Sequence, residues 1–171
     1  MPKHIYNNVE DHRLYCNGIV CEDITSVTLP TIKHPTSEFK AAGMSMNMNM
    51  PNTARLEAME LSVSHNNGTN CNLLRSNEAM TLEFRLVRQR YDATQAAIGH
   101  ESVKYRVKCL HVSTEAGTAQ TDNPLGYTEK YSIIRYEEIL NGKEVLMADA
   151  TSGFRINGVD RTDVVQQMLN S

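Results

Sequence analysis

One stretch in the first half of the chain constrains the fold most, because it combines two extended segments with a strict alternation of residue types. The extended segments are Ile24–Phe39 and Arg55–Ser64, and Lys40–Ala54 separates them. Within the separating segment, methionine occupies every second position from Met44 to Met50. A period of two places alternate side chains on opposite faces of a strand, whereas a helix would scatter them around its circumference. The pattern therefore predicts an extended, two-faced segment.

The strand that returns through Arg55–Ser64 has the same period. One predicted face is apolar and carries Met59, Leu61 and Val63, and the other carries Ala58, Glu60, Ser62 and Ser64. Later in the chain, Leu82, Phe84 and Leu86 alternate with charged residues. A further strand alternates Val103, Tyr105, Val107 and Cys109 with Lys104, Arg106 and Lys108. Each pattern predicts a half-buried strand, and the last one has a basic outer face.

Turn signals divide the chain between these strands. Four of the nine glycines follow an asparagine: Asn17-Gly18, Asn67-Gly68, Asn141-Gly142 and Asn157-Gly158. Asn-Gly supplies the positive φ angles that a two-residue hairpin turn requires. We therefore predict a hairpin of Leu14–Cys16 with Ile19–Cys21, and another of Tyr127–Leu140 with Lys143–Met147. The proline pair Pro30 and Pro35 indicates an edge position or a bulge.

Helices are predicted at only two places. Asn72–Met80 is compatible with a short helix capped by Asn72. Near the end, residues 160–169 form about two turns, with Asp160 as the cap and i,i+4 apolar pairs on one side, Val164 with Met168 and Val165 with Leu169. The segments Asp92–His100 and Ser113–Gly126 are predicted to be polar loops. With 171 residues, the chain suits one domain over residues 1–171.

Composition excludes several classes of protein. The chain has 17 basic and 20 acidic residues, a net charge of -3, which argues against a dedicated nucleic-acid binder. No window approaches the roughly 18 uninterrupted apolar residues of a membrane span. Met1–Asn8 lacks the apolar core of a signal peptide, so we expect the protein to remain where it is made. The cysteines Cys16, Cys21, Cys71 and Cys109 form no CxxC pair, and we expect buried, reduced thiols.

No pattern of catalytic or cofactor-binding residues emerges. The chain has no serine in a strand-turn-helix elbow and no glycine-rich phosphate loop, and Glu137 and Glu138 would point to opposite faces of a strand. Evenly spaced thioethers can bind Cu(I), but no His or Cys pair lies beside the methionines, which favours a subunit interface. We expect no enzyme activity, metal or cofactor.

The basic row Lys104, Arg106 and Lys108, with Arg85, Arg88 and Arg90 nearby, could contact phosphate. Tyr105 has the opposite parity, however, so its ring and the charges cannot act on one ligand. A solvated face or a subunit interface is the favoured interpretation.

Five short motifs, taken together, resemble those of a known protein family. In order and spacing, the chain resembles the major tail tube protein family of contractile phage tails and R-type bacteriocins, through Asn17-Gly18, Ser26-Val27-Thr28-Leu29-Pro30, Ala42-Gly43-Met44, Leu56-Glu57-Ala58-Met59-Glu60 and Ile156-Asn157-Gly158-Val159-Asp160. It departs from that pattern at Ser64–Met80 and Asp92–Ser102, so these regions inherit little from the family.

The resemblance implies a mainly β fold, an antiparallel β-sandwich or barrel with one or two short helices and a long extended loop. Six subunits would form a ring whose inner strands merge into a continuous β-barrel, and rings would stack inside a contractile sheath. The implied function is a structural subunit of a tail tube that conducts DNA, or serves as a puncturing tube, into the target cell. The implied partners are other copies of the chain, the sheath, baseplate and tail-terminator proteins, the tape-measure protein and DNA in passage. The implied location is the virion tail, assembled in the host bacterial cytoplasm without membrane insertion by this chain.

Carried onto this sequence, the resemblance implies two sites. The loop at about 40–54 would reach the adjacent ring through Gly43, Met44, Met46, Met48 and Met50. Glu60, Ser62 and Ser64 would line the channel, because hydroxyls and carboxylates do not hold DNA phosphates as lysines would. By the same reasoning, Lys104, Arg106 and Lys108 are predicted to point away from the channel or into subunit contacts. Two alternatives remain: a β-sandwich binding or decoration module, and the ring protein of a related bacterial secretion machine.

Overall fold

The computed structural model describes residues 3–171 and consists mainly of antiparallel strands. Alternating apolar side chains and Asn-Gly turns account for most of them. In chain order the elements are β1 (His4–Cys16), β2 (Ile19–Cys21), β3 (Ile24–Thr28), β4 (Thr36–Phe39), β5 (Met48–Pro51), β6 (Glu60–His65), a 3-10 helix (Cys71–Leu74), β7 (Met80–Asp92), β8 (Ala97–Ala116), β9 (Tyr127–Leu140), β10 (Lys143–Asp149), β11 (Gly153–Ile156), β12 (Val159–Asp160) and α1 (Asp163–Leu169).

Ten of the strands form one sheet, in the order β12-β11-β10-β9-β8-β7-β1-β2, with β6 and then β3 attached to β9. Strand β9 pairs with β8 from one end of β9 to the other, Tyr127 to Leu140. On the opposite edge of β9, β6 pairs with the first half and β10 with the second. The sheet therefore divides at β9 into two branches, one of β6 and β3 and the other of β10, β11 and β12.

The buried apolar residues form a single core. The core cluster contains buried residues from β1, β2, β6 to β11 and the 3-10 helix, including Leu14, Val63, Leu74, Leu82, Val107, Tyr131 and Phe154. All four cysteines are buried and free, as the sequence predicts. Burial raises the pKa of Cys21 and of Cys109 to about 12, so these thiols stay protonated at neutral pH.

Three of the four Asn-Gly pairs form two-residue hairpin turns. They connect Cys16 with Ile19, Leu140 with Lys143 and Ile156 with Val159. The asparagine in each turn has a positive φ, 49° to 52°. The fourth pair, Asn67-Gly68, lies in the loop between β6 and the 3-10 helix, where Asn67 also has a positive φ.

The prediction of one continuous extended segment over Ile24–Phe39 is wrong. It is divided into β3 and β4, and the residues between them, which include Pro30 and Pro35, belong to no strand. Proline has no backbone N–H to donate to a neighbouring strand, so two prolines interrupt the pairing. The predicted loop Lys40–Ala54 is also not wholly irregular, because β5 lies within it and pairs with β4 as a separate two-stranded sheet.

Other boundaries are longer or shorter than predicted. Strand β1 begins at His4 rather than at Leu14, and β8 extends into both predicted polar loops. The predicted helix at Asn72–Met80 is a single 3-10 turn that begins after Asn70. Helix α1 begins at Asp163, and the carboxylate of Asp160 accepts hydrogen bonds from the backbone N–H groups of Thr162 and Asp163.

Candidate functional site

The predicted channel-lining residues Glu60, Ser62 and Ser64 lie together on one face of β6. Between them, Leu61 and Val63 are buried in the core. Side chains in a strand alternate between two faces, so the three polar residues face away from the core. The predicted parity of this strand is therefore confirmed.

Strand pairing extends this polar face across four strands. On β9, Ser132, Lys130 and Thr128 are directly opposite Glu60, Ser62 and Ser64. Strands β3 and β8 add two residues each. We name the polar residues of this face the polar wall and define it by ten residues: Ser26, Thr28, Glu60, Ser62, Ser64, Ser113, Glu115, Thr128, Lys130 and Ser132. Leu110, which lies opposite Ser132, is an exposed apolar residue on the same face.

The polar wall is rich in hydroxyl groups and nearly neutral. Its charged members are two carboxylates, Glu60 and Glu115, and one ammonium group, that of Lys130. Lys130 Nζ donates a hydrogen bond of 2.8 Å to Glu115 Oε1, and this bond raises the pKa of Lys130. The hydroxyls of Ser64 and Thr128 lie 3.4 Å apart. The wall therefore presents no uncompensated cation.

Both sides of the polar wall end in open strand edges. Strand β3 pairs only with β6 among the strands of residues 3–171. Strand β7 reaches β8 only as far as the Met80–Cys109 pair, so the end of β8, residues 110–116, pairs with β9 alone. An open edge presents unpaired N–H and C=O groups that another chain can bind.

The predicted inter-ring residues lie in the β4–β5 hairpin and in the loop that connects its two strands. Met48 and Met50 lie opposite Phe39 and Ser37, so the hairpin has one face with three apolar side chains. Gly43, Met44 and Met46 lie in the connection before β5. All four methionines are exposed, and Met46 most of all, at 73%. Only Met48–Met50 of the alternating run is strand, but the strand has the predicted two faces.

The basic row lies on the half of β8 that precedes the polar wall. Lys104 Nζ is 3.7 Å from Glu83 Oε1, and Arg106 contacts both Glu83 and Glu137 at 3.6 and 3.4 Å. Lys108 has no ion-pair partner within the part of the chain that is described. Burial opposes ionisation of Glu83, but Arg85, Lys104 and Arg106 together lower its pKa. The row shares its side of β8 with Ser113 and Glu115, so its orientation towards or away from a channel stays a prediction.

Sequence reasoning missed a buried ionic cluster behind the polar wall. The Glu129 carboxylate, on β9, is fully buried and accepts hydrogen bonds from Arg75, His65, His111 and Thr114. Burial alone would raise the pKa of Glu129, but the four donors lower it to about 2. The available signal was the parity of Glu129, which alternates in step with the core residue Tyr131.

Between residues 3 and 171, His, Cys, Asp and Glu side chains form no group of three arranged to hold a metal ion. No helix in the same range has the length and apolar character needed to cross a membrane.

Comparison with known proteins gives one family match and a set of structures with a similar fold. The family model of the phage tail tube protein FII matches residues 7–169. None of the curated proteins matches this sequence. Among solved structures, the fold is similar to the sheath/tube terminator of the PVC extracellular contractile injection system in its extended state. That match has 11% identity and a TM-score of 0.54, and covers 77% of this chain and 95% of that chain.

The fold is also similar to a chain of the PVC sheath-tube complex in the extended state. Here the identity is 12% and the TM-score 0.52, and the match covers 77% of this chain and 89% of that chain. At these identities the two structures show a common fold. Together with the family match, they account for nearly the whole chain.

Proposed function

We propose, starting from the fact that this chain belongs to the phage tail tube protein FII family and is a structural tail-tube subunit, that its polar wall lines the channel of a hexameric ring. The observation that supports this most is the combination of a hydroxyl-rich sheet face with open edges on both sides. A face of this kind has a function in a closed barrel and is a liability in an isolated subunit.

We assign ring closure to these two edges. Strand β3 of one copy pairs with residues 110–116 of β8 in the next copy, so each copy contributes four strands to an inner barrel. The contact is head-to-tail, because two different edges meet, and a head-to-tail contact with the correct rotation closes into a ring. A closed barrel has no remaining strand edges.

The chemistry of the polar wall suits a conduit for DNA. Cationic side chains on the wall would displace counterions from the phosphates and hold the DNA, and sixfold repetition would multiply this effect. Serine and threonine hydroxyls bind phosphate weakly, and Glu60 repels it. The single cation of the wall, Lys130, is paired with Glu115. The wall thus lets a polyanion pass without retaining it.

Stacking of rings is assigned to the β4–β5 hairpin with its connecting loop, residues 36–51, which we name the methionine hairpin. Met44, Met46, Met48 and Met50 are flexible apolar side chains that adapt to the surface of an adjacent ring. The basic row Lys104, Arg106 and Lys108 is assigned to subunit contacts away from the channel. The chain then works without catalytic activity, cofactor or metal.

The remaining partners follow from the assembly. A tube of this family lies inside a sheath and ends in a terminator, so sheath and terminator proteins are the expected partners, with baseplate and tape-measure proteins during assembly. The tube belongs to a virion or phage-like tail and is assembled in the cytoplasm of the bacterial host.

The test is electron microscopy of the purified chain with two matched variants. Val112 lies on the open end of β8 and Val164 lies on α1, and both are exposed. Wild type and V164D should form rings or hollow filaments of uniform diameter, and V112D should remain monomeric with an unchanged circular dichroism spectrum. Wild-type protein that stays monomeric or trimeric at every concentration would contradict the proposal and favour a binding module.

A further inference from the structure

The buried carboxylate of Glu129 connects four separate parts of the chain. On Oε1 it accepts hydrogen bonds from Nε of Arg75 at 2.7 Å and from Nε2 of His65 at 3.1 Å. On Oε2 it accepts from Nε2 of His111 at 2.8 Å and from the hydroxyl of Thr114. Strands β6, β8 and β9 and the residue after the 3-10 helix therefore meet at one carboxylate.

The hydrogen bonds define the state of His65. Its Nδ1 accepts a hydrogen bond of 3.0 Å from the backbone N–H of Asn67, so the ring proton is on Nε2, which donates to Glu129. Arg75 is the one permanent cation at the carboxylate, and its guanidinium also lies 4.8 Å from the centre of the Tyr127 ring. Every oxygen of the buried carboxylate is thus satisfied, which is the condition for burying it without a large penalty.

Two of the donors flank an irregularity in the edge of the polar wall. His111 is opposite Tyr131 and Ser113 is opposite Lys130, so the pairing with β9 shifts by one residue at Val112. His111 and Thr114 are three residues apart, yet both reach Glu129 on the core face. In a regular strand, residues at odd spacing point to opposite faces. Both contacts can form only when Val112 is bulged out.

We infer that Glu129 is a positioning residue that fixes the bulged register of residues 110–116 for ring closure. A slip of one residue would turn Ser113 and Glu115 from the wall into the core. The bulge avoids this, because bulges re-aim the side chains that follow them. This inference rests on the proposed function for its consequence, since residues 110–116 form one of the two edges that meet in the ring.

The test compares two buried carboxylates on the same sheet. Glu101, on β8, is 4% exposed and accepts hydrogen bonds from Arg88 and Asn141, but it lies outside the polar wall. In both E129Q and E101Q, the new amide N–H₂ group faces hydrogen-bond donors, where the wild-type carboxylate oxygen accepted hydrogen bonds from them. Amide hydrogen exchange of residues 110–116, the midpoint of urea unfolding and tube formation are measured for both variants and for wild type.

We expect amide hydrogen exchange at residues 110–116 to be about tenfold faster in E129Q than in E101Q. A tenfold change is the size expected when one charge-assisted hydrogen bond is lost. Tubes should form from E101Q and fail from E129Q at the same protein concentration. Equal exchange and equal assembly in the two variants would overturn the inference, because Glu129 would then contribute only general stability.

A second variant covers the case in which E129Q does not fold. T114V removes one donor on the far side of the bulge and leaves the carboxylate paired with Arg75. It should also speed exchange at residues 110–116 relative to E101Q, and unchanged exchange would overturn the inference. If wild type itself forms no tube, the proposed function fails, but the exchange comparison still decides the claim about register.

Discussion

Nε of Arg75 lies 2.7 Å from the buried Oε1 of Glu129, although the two residues are 54 positions apart in the chain. This contact attaches the residue after the 3-10 helix to the strand shared by both branches of the sheet. It also places a permanent positive charge beside a carboxylate that has no access to water. The stability of the fold should therefore depend on the ionised form of Glu129.

The first prediction concerns acid stability. The pKa of Glu129 is lowered from its ordinary 4.5 to about 2 in the folded protein, so its contribution is complete above pH 4.5 and is lost as the pH falls towards 2. A shift of this size corresponds to roughly 3 kcal/mol of unfolding free energy. Urea unfolding at pH 7 and pH 2.5 should show a larger acid-induced loss in wild type than in E129Q. The same loss in both proteins would contradict the prediction.

The second prediction concerns two methionines, one expected to affect assembly of the tube and the other the stability of the fold. Met46 is 73% exposed on the hairpin connection, whereas Met80 is 1% exposed in the core. M46A should change the free energy of unfolding of the monomer by less than about 0.5 kcal/mol, yet raise the protein concentration needed for tube formation. M80A should cost about 2 to 5 kcal/mol, because it leaves a cavity.

Urea unfolding and sedimentation of filaments measure the two effects. A normal assembly concentration for M46A would show that the methionine hairpin does not connect rings.

The third prediction concerns the channel. S62K adds one cation to the polar wall of each subunit and so, in the proposed hexamer, six to each ring. Filaments of S62K should retain single-stranded DNA at low salt and release it as salt is raised, because binding through phosphate neutralisation weakens steeply with ionic strength. V164K, on the exposed surface of α1 and outside the sheet, is the control and should retain less DNA. Equal retention by both variants would place Ser62 outside the channel.

The fourth prediction concerns the contact between the start of β11 and the residue that precedes α1. Gly153 has φ of +94°, and a Cβ at this position would overlap the Oγ1 atom of Thr162. G153A should therefore cost about 1 to 2 kcal/mol for the left-handed backbone, plus about 1 to 3 kcal/mol for the overlap. Gly142 also has a positive φ but has open space around it, so G142A should cost the backbone penalty alone.

Thermal unfolding of the two glycine variants measures the difference. Equal destabilisation would show that Thr162 moves away at no cost.

Sequence patterns predicted the elements whose structure is determined locally. Strand β9 occupies the predicted Tyr127–Leu140, and Glu60, Ser62 and Ser64 have the predicted parity, because alternation and Asn-Gly turns act over a few residues. The first half of β1 could not be predicted, since its exposed residues carry no alternation and its structure depends on pairing with β7. Non-local pairing of this kind is not readable from a single segment.

The Glu129 cluster was hidden for the same reason. Its members, at positions 65, 75, 111, 114 and 129, are distant in sequence, and two of them share a face only because of the bulge at Val112. Histidine and threonine in strands are common, so the chemistry appears only when the sheet brings them together.

The division of the sheet at β9 has a mechanical consequence for a tube inside a contracting sheath. Strand β9 carries backbone bonds to β8 on one side and to β6 and β10 on the other, so both branches are tied to the same strand. A pull along β9 acts in shear and loads many of these bonds at the same time, whereas a pull across the sheet would break them one after another. Force applied to β10 is therefore transmitted to β6 through the backbone bonds of one shared strand.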